Sequence, residues 1–264
     1  GLSLCGLIMQ TWFGNPLAGP SVLGVSSGAG LGVALLVLMG LTTSWWATAA
    51  SAMAGSLLAL ILVLFVSHRF RTTTSLLIFG LMLNYVVGAM ITVLQAEAQQ
   101  DALQQFVFWG MGTFGHGSMA TSLALCGAVL FAGMGLRTMH RDLDIWTLGP
   151  LTAQSMGVNN STMRWRIVAV AGLLTGGITA ACGPVAFLGL ATPHVVRLLT
   201  KERSHRVLIP LTALTGAILA MGADWVVKGF GSMEQGWPLN AVLSLIGGPM
   251  VIWVLVSKKD RLHD

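Results

Sequence analysis

The chain has 264 residues, 55% of them apolar and 9% charged, with 14 Lys and Arg against 9 Asp and Glu. A soluble globule keeps about a quarter of its residues charged, so this composition excludes a soluble enzyme and makes a bilayer the solvent. A net charge of +5 spread over so apolar a chain argues against a nucleic-acid binder and fits the basic bias of inner membrane loops.

Residues 1–13 are apolar and helical in character, yet too short to cross about 30 Å of hydrocarbon at 1.5 Å per residue. The chain therefore reads as starting inside a helix, with residues expected upstream of Gly1, because a charged α-amino group in lipid is costly. Asn15-Pro16-Leu17-Ala18-Gly19-Pro20 follows as a proline-punctuated turn without charge, which points to a linker buried in protein. Eight full spans then fall near 22–40, 47–66, 76–95, 118–136, 165–181, 184–200, 207–228 and 239–256.

In the first full span Gly24, Gly28 and Gly32 recur every four residues, which stacks them on one helix face open to a neighbouring backbone. Gly24-Val25-Ser26-Ser27-Gly28 also fits the Gly-x-Ser-x-Gly elbow of hydrolases. That elbow needs a preceding strand, whereas Pro16 and Pro20 precede it here, so helix packing is the reading taken.

Eight spans fix which connections share a side. One side carries Arg69, Arg71, Arg137, Arg141, Arg164, Arg166, Arg197, Lys201, Arg203, Arg206, Lys258, Lys259 and Arg261, which are 13 of the 14 cations. The other carries Glu97, Asp101 and Glu234, with Lys228 as its cation. The positive-inside rule places the basic side and the C-terminus in the cytoplasm. Trp45, Trp46, Trp109 and Trp237 at the outer boundary, with Trp146 and Trp165 at the inner one, agree with interfacial indoles. Cys5, Cys126 and Cys182 are unclustered, so neither a disulfide framework nor a zinc site is expected. No lysine follows a glycine and no histidine precedes a glutamate, which removes the phosphate-binding loop and the His-Glu-x-x-His hydrolase.

Two further segments depart from uniform apolar helices. Residues 147–158 read as a two-turn helix, with Pro150 at its first position and Gly157 as a C-terminal cap. Its apolar patch of Leu151 and Met156 beside Ser155 suits either a docking element for a soluble partner or a helix lying on the bilayer. Residues 182–197 turn at Gly183-Pro184 and lead into a helix kinked by Pro193. His194 after it is either functional or a partner for carbonyls freed by the proline.

Asn15-Pro16-Leu17-Ala18, Leu23-Gly24-Val25-Ser26-Ser27-Gly28-Ala29, Gly189-Leu190-Ala191-Thr192-Pro193-His194 with Arg197, and Gly247-Gly248-Pro249 occur in an order that resembles the FecCD-type permeases of ABC importers. Phe108-Trp109-Gly110-Met111-Gly112 extends the likeness. The resemblance implies an all-α polytopic transmembrane helix bundle of the cobalamin-importer permease type, ten helices in the family. Residues 1–264 would then be a single permease domain lacking its first helix and part of its second. It also implies uptake of an iron chelate, haem or cobalamin across the inner membrane by alternating access, with no catalytic residue, cofactor or metal in the permease itself. The implied partners are a second permease copy in a homodimer, two cytoplasmic ATPase subunits and a periplasmic binding protein, within the lipid bilayer and without nucleic acid.

By the same resemblance 147–158 is the coupling helix, with Gly149, Leu151, Ala153, Ser155, Met156 and Gly157 facing the ATPase. Asn15, Leu17, Thr72 and Thr73 correspond to a cytoplasmic gate, and Lys228 to a docking position for the binding protein. Gly24, Gly28, Gly32, Pro193 and His194 take structural roles. The sequence departs from the family at Pro150-Leu151, where acidic residues are common, so docking there would lean on apolar contact. Two other classes of membrane protein fit the chain less well. An ion-coupled secondary transporter would need acidic groups at the membrane midplane, and Asp224 lies near an outer end. An intramembrane serine hydrolase would use Ser26 or Ser27 with His194.

Overall fold

A computed structural model describes residues 1–41, 44–67, 69, 73–115, 119–230 and 237–260. Among them are twelve α-helices and no strand: α1 (Leu2–Phe13), α2 (Val25–Leu38), α3 (Trp45–Ser67), α4 (Thr73–Glu97), α5 (Gln100–Met111), α6 (Met119–Thr138), α7 (His140–Trp146), α8 (Pro150–Ser155), α9 (Asn160–Cys182), α10 (Leu188–Thr200), α11 (His205–Phe230) and α12 (Leu239–Asp260). A 3-10 turn, Pro20–Leu23, precedes α2.

Every residue of α1 is buried, its polar Ser3, Gln10 and Thr11 included, so this helix packs against protein on all sides. It lies among α7, α9, α10 and α11. Leu4, Leu7, Ile8, Met9 and Trp12 join Leu136, Leu143, Ile167, Val196 and Leu208 in the largest cluster of the core. Its few polar groups are all engaged, as buried groups must be. Ser3 Oγ donates to Thr192 Oγ1 at 3.0 Å, and Gln10 Nε2 donates to the Leu190 carbonyl at 3.1 Å. Gly6 faces the Gly189 carbonyl so closely that a Cβ would overlap it. Pro193 has no N–H to return to that carbonyl along α10, which leaves it free for the approach of α1. At Gly14 the backbone turns left-handed (φ 58°), and the Gly14 and Asn15 amides close back on Thr11 and Gln10 to end the helix.

Five helices are long and apolar enough to cross a membrane: Trp45–Val66, Thr74–Glu97, Met119–Thr138, Asn160–Cys182 and His205–Gly229. The stretch 239–256 lies within α12. The two remaining expected spans are corrected. Over 22–40 the helix covers 14 residues, because 14–24 is irregular chain and a 3-10 turn. Over 184–200 it covers 13, because 183–187 is an extended bend. Such backbone is tolerated at membrane depth where protein buries it or a cavity meets it, and hydropathy alone does not distinguish it from helix. The connection near 96–117 in turn contains α5, whose polar residues Gln100, Asp101, Gln104 and Gln105 kept it from reading as a helix.

Gly28 and Gly32 face α3 as expected. A Cβ on Gly28 would lie 2.5 Å from the Gly55 carbonyl oxygen, and one on Gly32 would strike the Ser51 carbonyl. Gly24 departs from the expected stack. It sits before α2 with φ 77°, against Leu83 and Asn84 of α4, so it serves as a turn and not as the first rung of the α2 face.

Candidate functional site

α8 is shorter than the 147–158 helix expected from spacing, but its punctuation is as read. Gly149 (φ 105°) leads into Pro150, and Gly157 (φ 89°) follows the end. The Gly157 amide donates to the Gln154 carbonyl and the Val158 amide to the Ala153 carbonyl, the double closure of a glycine-terminated helix. Leu148, Leu151 and Met156 are 61%, 84% and 56% exposed, and Ser155 is also outward. Ala153 is fully buried, so of the residues expected to face a partner it points into the core instead.

α8 hangs from α7, which is tied into the bundle. Asp144 accepts from His205 Nδ1 at 2.6 Å, from the His205 amide at 2.7 Å and from Ser204 Oγ at 3.2 Å. It thereby caps the start of α11, where unpaired amides and the helix dipole favour an anion. His205 Nε2 hydrogen-bonds with Thr11 Oγ1 of α1 at 2.7 Å, and Trp146 Nε1 donates to the Trp12 carbonyl at 3.0 Å. Sequence reasoning missed Asp144 and His205. The available signal was a pair of acidic residues, Asp142 and Asp144, inside a connection flanked by arginines.

Around the turn after α1, Asn15 Oδ1 accepts from the Leu17 amide at 2.9 Å, which folds the loop on itself and leaves Leu17 42% exposed. Thr72 and the side chain of Thr73 lie outside the described residues; the backbone of Thr73 opens α4. His194 Nε2 donates to the Pro16 carbonyl at 2.8 Å, so the histidine serves a carbonyl of the turn after α1. Arg197 Nη1 donates to Gln10 Oε1 at 2.8 Å.

Ser27 Oγ donates to Asn84 Oδ1 at 2.7 Å, and Asn84 Nδ2 donates to the Ser21 carbonyl at 3.1 Å. The serine thus fixes α2 to α4, which is a packing role. Lys228 Nζ donates to Asp224 Oδ2 at 2.6 Å one turn earlier. That pairing gives Asp224 a basic partner near the end of its helix.

At the end of the bundle away from α7 and α8, α5, α9 and α12 meet. The Thr113 amide donates to the Cys182 carbonyl at 2.9 Å, and Gly183 turns with φ 73°. Two cavities adjoin this bend. One of about 460 Å³ is lined by Trp45, Gln105, Phe108, Trp109, Thr113 and Cys182. The other, about 300 Å³, is lined by Leu17, Pro20, Ser26, Pro184, Phe187 and Asn240.

Long apolar helices interleaved with half-length ones, irregular segments meeting inside the bundle, and a short exposed helix on a braced arm together define a polytopic membrane transport permease. The chain belongs to the FecCD transport family, whose model matches residues 1–257. It is 31% identical over 265 residues to the hemin transport system permease protein HmuU of Yersinia pestis, covering 98% of this chain and 79% of that one. It is 33% identical over 261 residues to the vitamin B12 import system permease protein BtuC of Klebsiella pneumoniae, covering 98% and 78%. A solved structure described as an inward-facing conformation of a metal-chelate type ABC transporter matches with a TM-score of 0.88 and 27% identity, covering 97% of this chain and 81% of that one.

Proposed function

We propose that this permease carries a bulky chelate, of the class of haem, cobalamin or an iron–siderophore complex, across the inner membrane by alternating access. ATP is hydrolysed on two separate cytoplasmic subunits, and a periplasmic binding protein delivers the cargo to a homodimer of permeases. The C-terminus and the basic connections lie in the cytoplasm, in keeping with the segregation of 13 of 14 cations.

The observation that carries this reading is α8. A short helix that exposes Leu151, with Leu148 and Met156 exposed at its two ends beside basic connections, is built to enter a cleft in a soluble partner. Through Asp144 and Trp146 on α7, displacement of α8 reaches α11 and α1, the most buried helix of the bundle. ATP binding on the partner would thus bias two packings of the bundle. Asn15 and Leu17 contribute to the cytoplasmic gate, and Lys228 to the rim that meets the binding protein.

The deciding experiment co-expresses the chain with its candidate ATPase and removes residues 149–157. The expected result is loss of co-purification and of ATP-dependent uptake in vesicles supplied with haemin or cyanocobalamin. Retention of the ATPase after the deletion refutes the coupling assignment.

A further inference from the structure

Asn240, near the start of α12, was singled out by no motif. Its amide joins three backbone groups of two segments that no regular ladder connects. Nδ2 donates to the Pro184 carbonyl at 2.6 Å and to the Gly110 carbonyl at 3.1 Å, while Oδ1 accepts from the Ala186 amide at 2.9 Å. Both amide hydrogens and the oxygen are therefore used. Pro184 and Ala186 belong to the bend between α9 and α10, and Gly110 to the last turn of α5.

The bend needs such support. Phe187 adopts φ 60° without being glycine, a conformation that persists where neighbours impose it. Gly247, seven residues along α12 from Asn240, leaves the space Phe187 occupies, since a Cβ there would lie 2.6 Å from the Phe187 Cβ. α12 thus holds the bend at two points. On one side of the bend Cys182 and Gly183 line the larger cavity, and on the other Pro184–Phe187 and Asn240 line the smaller one, beside Leu17. Consecutive residues of the bend thus line both.

We propose that Asn240 is a positioning residue of transport, a latch that holds the 183–187 bend to the end of α5 and keeps the two cavities apart. The inference rests on the permease reading and deepens it by naming an internal partition that must yield when cargo passes. Hydrogen bonds from one amide suit the task, because each is individually modest and all can break and re-form within a transport cycle.

The test uses the intact permease–ATPase complex in vesicles with Cys126→Ser, which leaves Cys182 as the reactive thiol because Cys5 is fully buried. The probe is a membrane-impermeant methanethiosulfonate. Asn240→Ala should label Cys182 about tenfold faster in a complex that still folds and keeps its ATPase, with a thermal midpoint lowered by the backbone groups left unpaired. Asn240→Asp keeps the acceptor for Ala186 but loses both donors, and it should match the alanine variant. Unchanged labelling in either variant overturns the latch. Should both variants fail to fold, hydrogen exchange on the unmodified complex decides. The Ala186 amide, outside any helix, should be protected at rest and lose protection when the ATPase is trapped with vanadate. Free exchange at rest overturns the proposal. Loss of the ATPase partnership would strike the permease reading instead, and is seen separately by co-purification.

Discussion

Asp144 and His205 are 61 residues apart in sequence and 2.6 Å apart in space, and the carboxylate binds both the ring and the backbone amide of the histidine. One side chain thereby joins the arm that carries α8 to the first turn of α11. Asp144→Ala should cost about 2 kcal/mol, combining a lost charge-assisted bond with a lost helix cap. A fall of several degrees in thermal midpoint checks this. Asp144→Asn, which still accepts from the His205 amide, should recover part of the loss. In reconstituted complexes both variants should lower transport per ATP hydrolysed.

The exposed and buried faces of α8 separate docking from folding. Leu151→Asp should weaken co-purification with the ATPase about tenfold or more while the thermal midpoint holds, since Leu151 is 84% exposed. Ala153→Asp places a carboxylate where exposure is zero, and should lower the midpoint and the yield as well. Equal behaviour of the two variants would show that α8 is not a docking surface.

Gly28, Gly32 and Gly55 let α2 and α3 approach backbone to backbone. Gly28→Leu should destabilise by about 3 kcal/mol or more, because the bulk meets main chain that cannot rotate away. Gly40→Ala makes a control for the conformational cost alone: φ is 70° there, but nothing lies within 4 Å of the added Cβ. Thermal unfolding in detergent compares the two.

Lys228 and Asp224 form an exposed pair one helical turn apart, worth about 0.3–0.5 kcal/mol, so either can be changed without loss of fold. Lys228→Glu should weaken capture of the binding protein, and the difference should shrink as salt rises from about 0.02 to 0.5 M. Asp224→Asn frees the lysine and should hold or strengthen capture. No difference for Lys228→Glu at low salt would remove Lys228 from the docking surface.

Much of the fold was legible in the chain because hydropathy reports a solvent that tolerates few charges. The helices α3, α4, α6, α9 and α11 appeared near their true bounds, and the termini of α8 were marked by Pro150 and Gly157. The half-length helices were not legible. The turns at 15–20 and Gly183-Pro184 were marked by proline, but 22–24 and 185–187 carry no charge and read as part of the spans they adjoin, and the backbone there is satisfied by distant groups: His194 for Pro16, Asn240 for Pro184 and Ala186.

The sequence by itself determined that this is a membrane protein, which family it resembles, and where its short amphipathic segment lies, because composition, motif order and helix punctuation are local properties of the chain. Tertiary structure alone decided which polar residues matter inside it. Asp144, His205 and Asn240 look ordinary in sequence and gain their roles from groups up to 194 residues away. In a low-dielectric interior an unpaired amide or carbonyl is costly, and the side chains that meet such groups here reach them only once the helices have met.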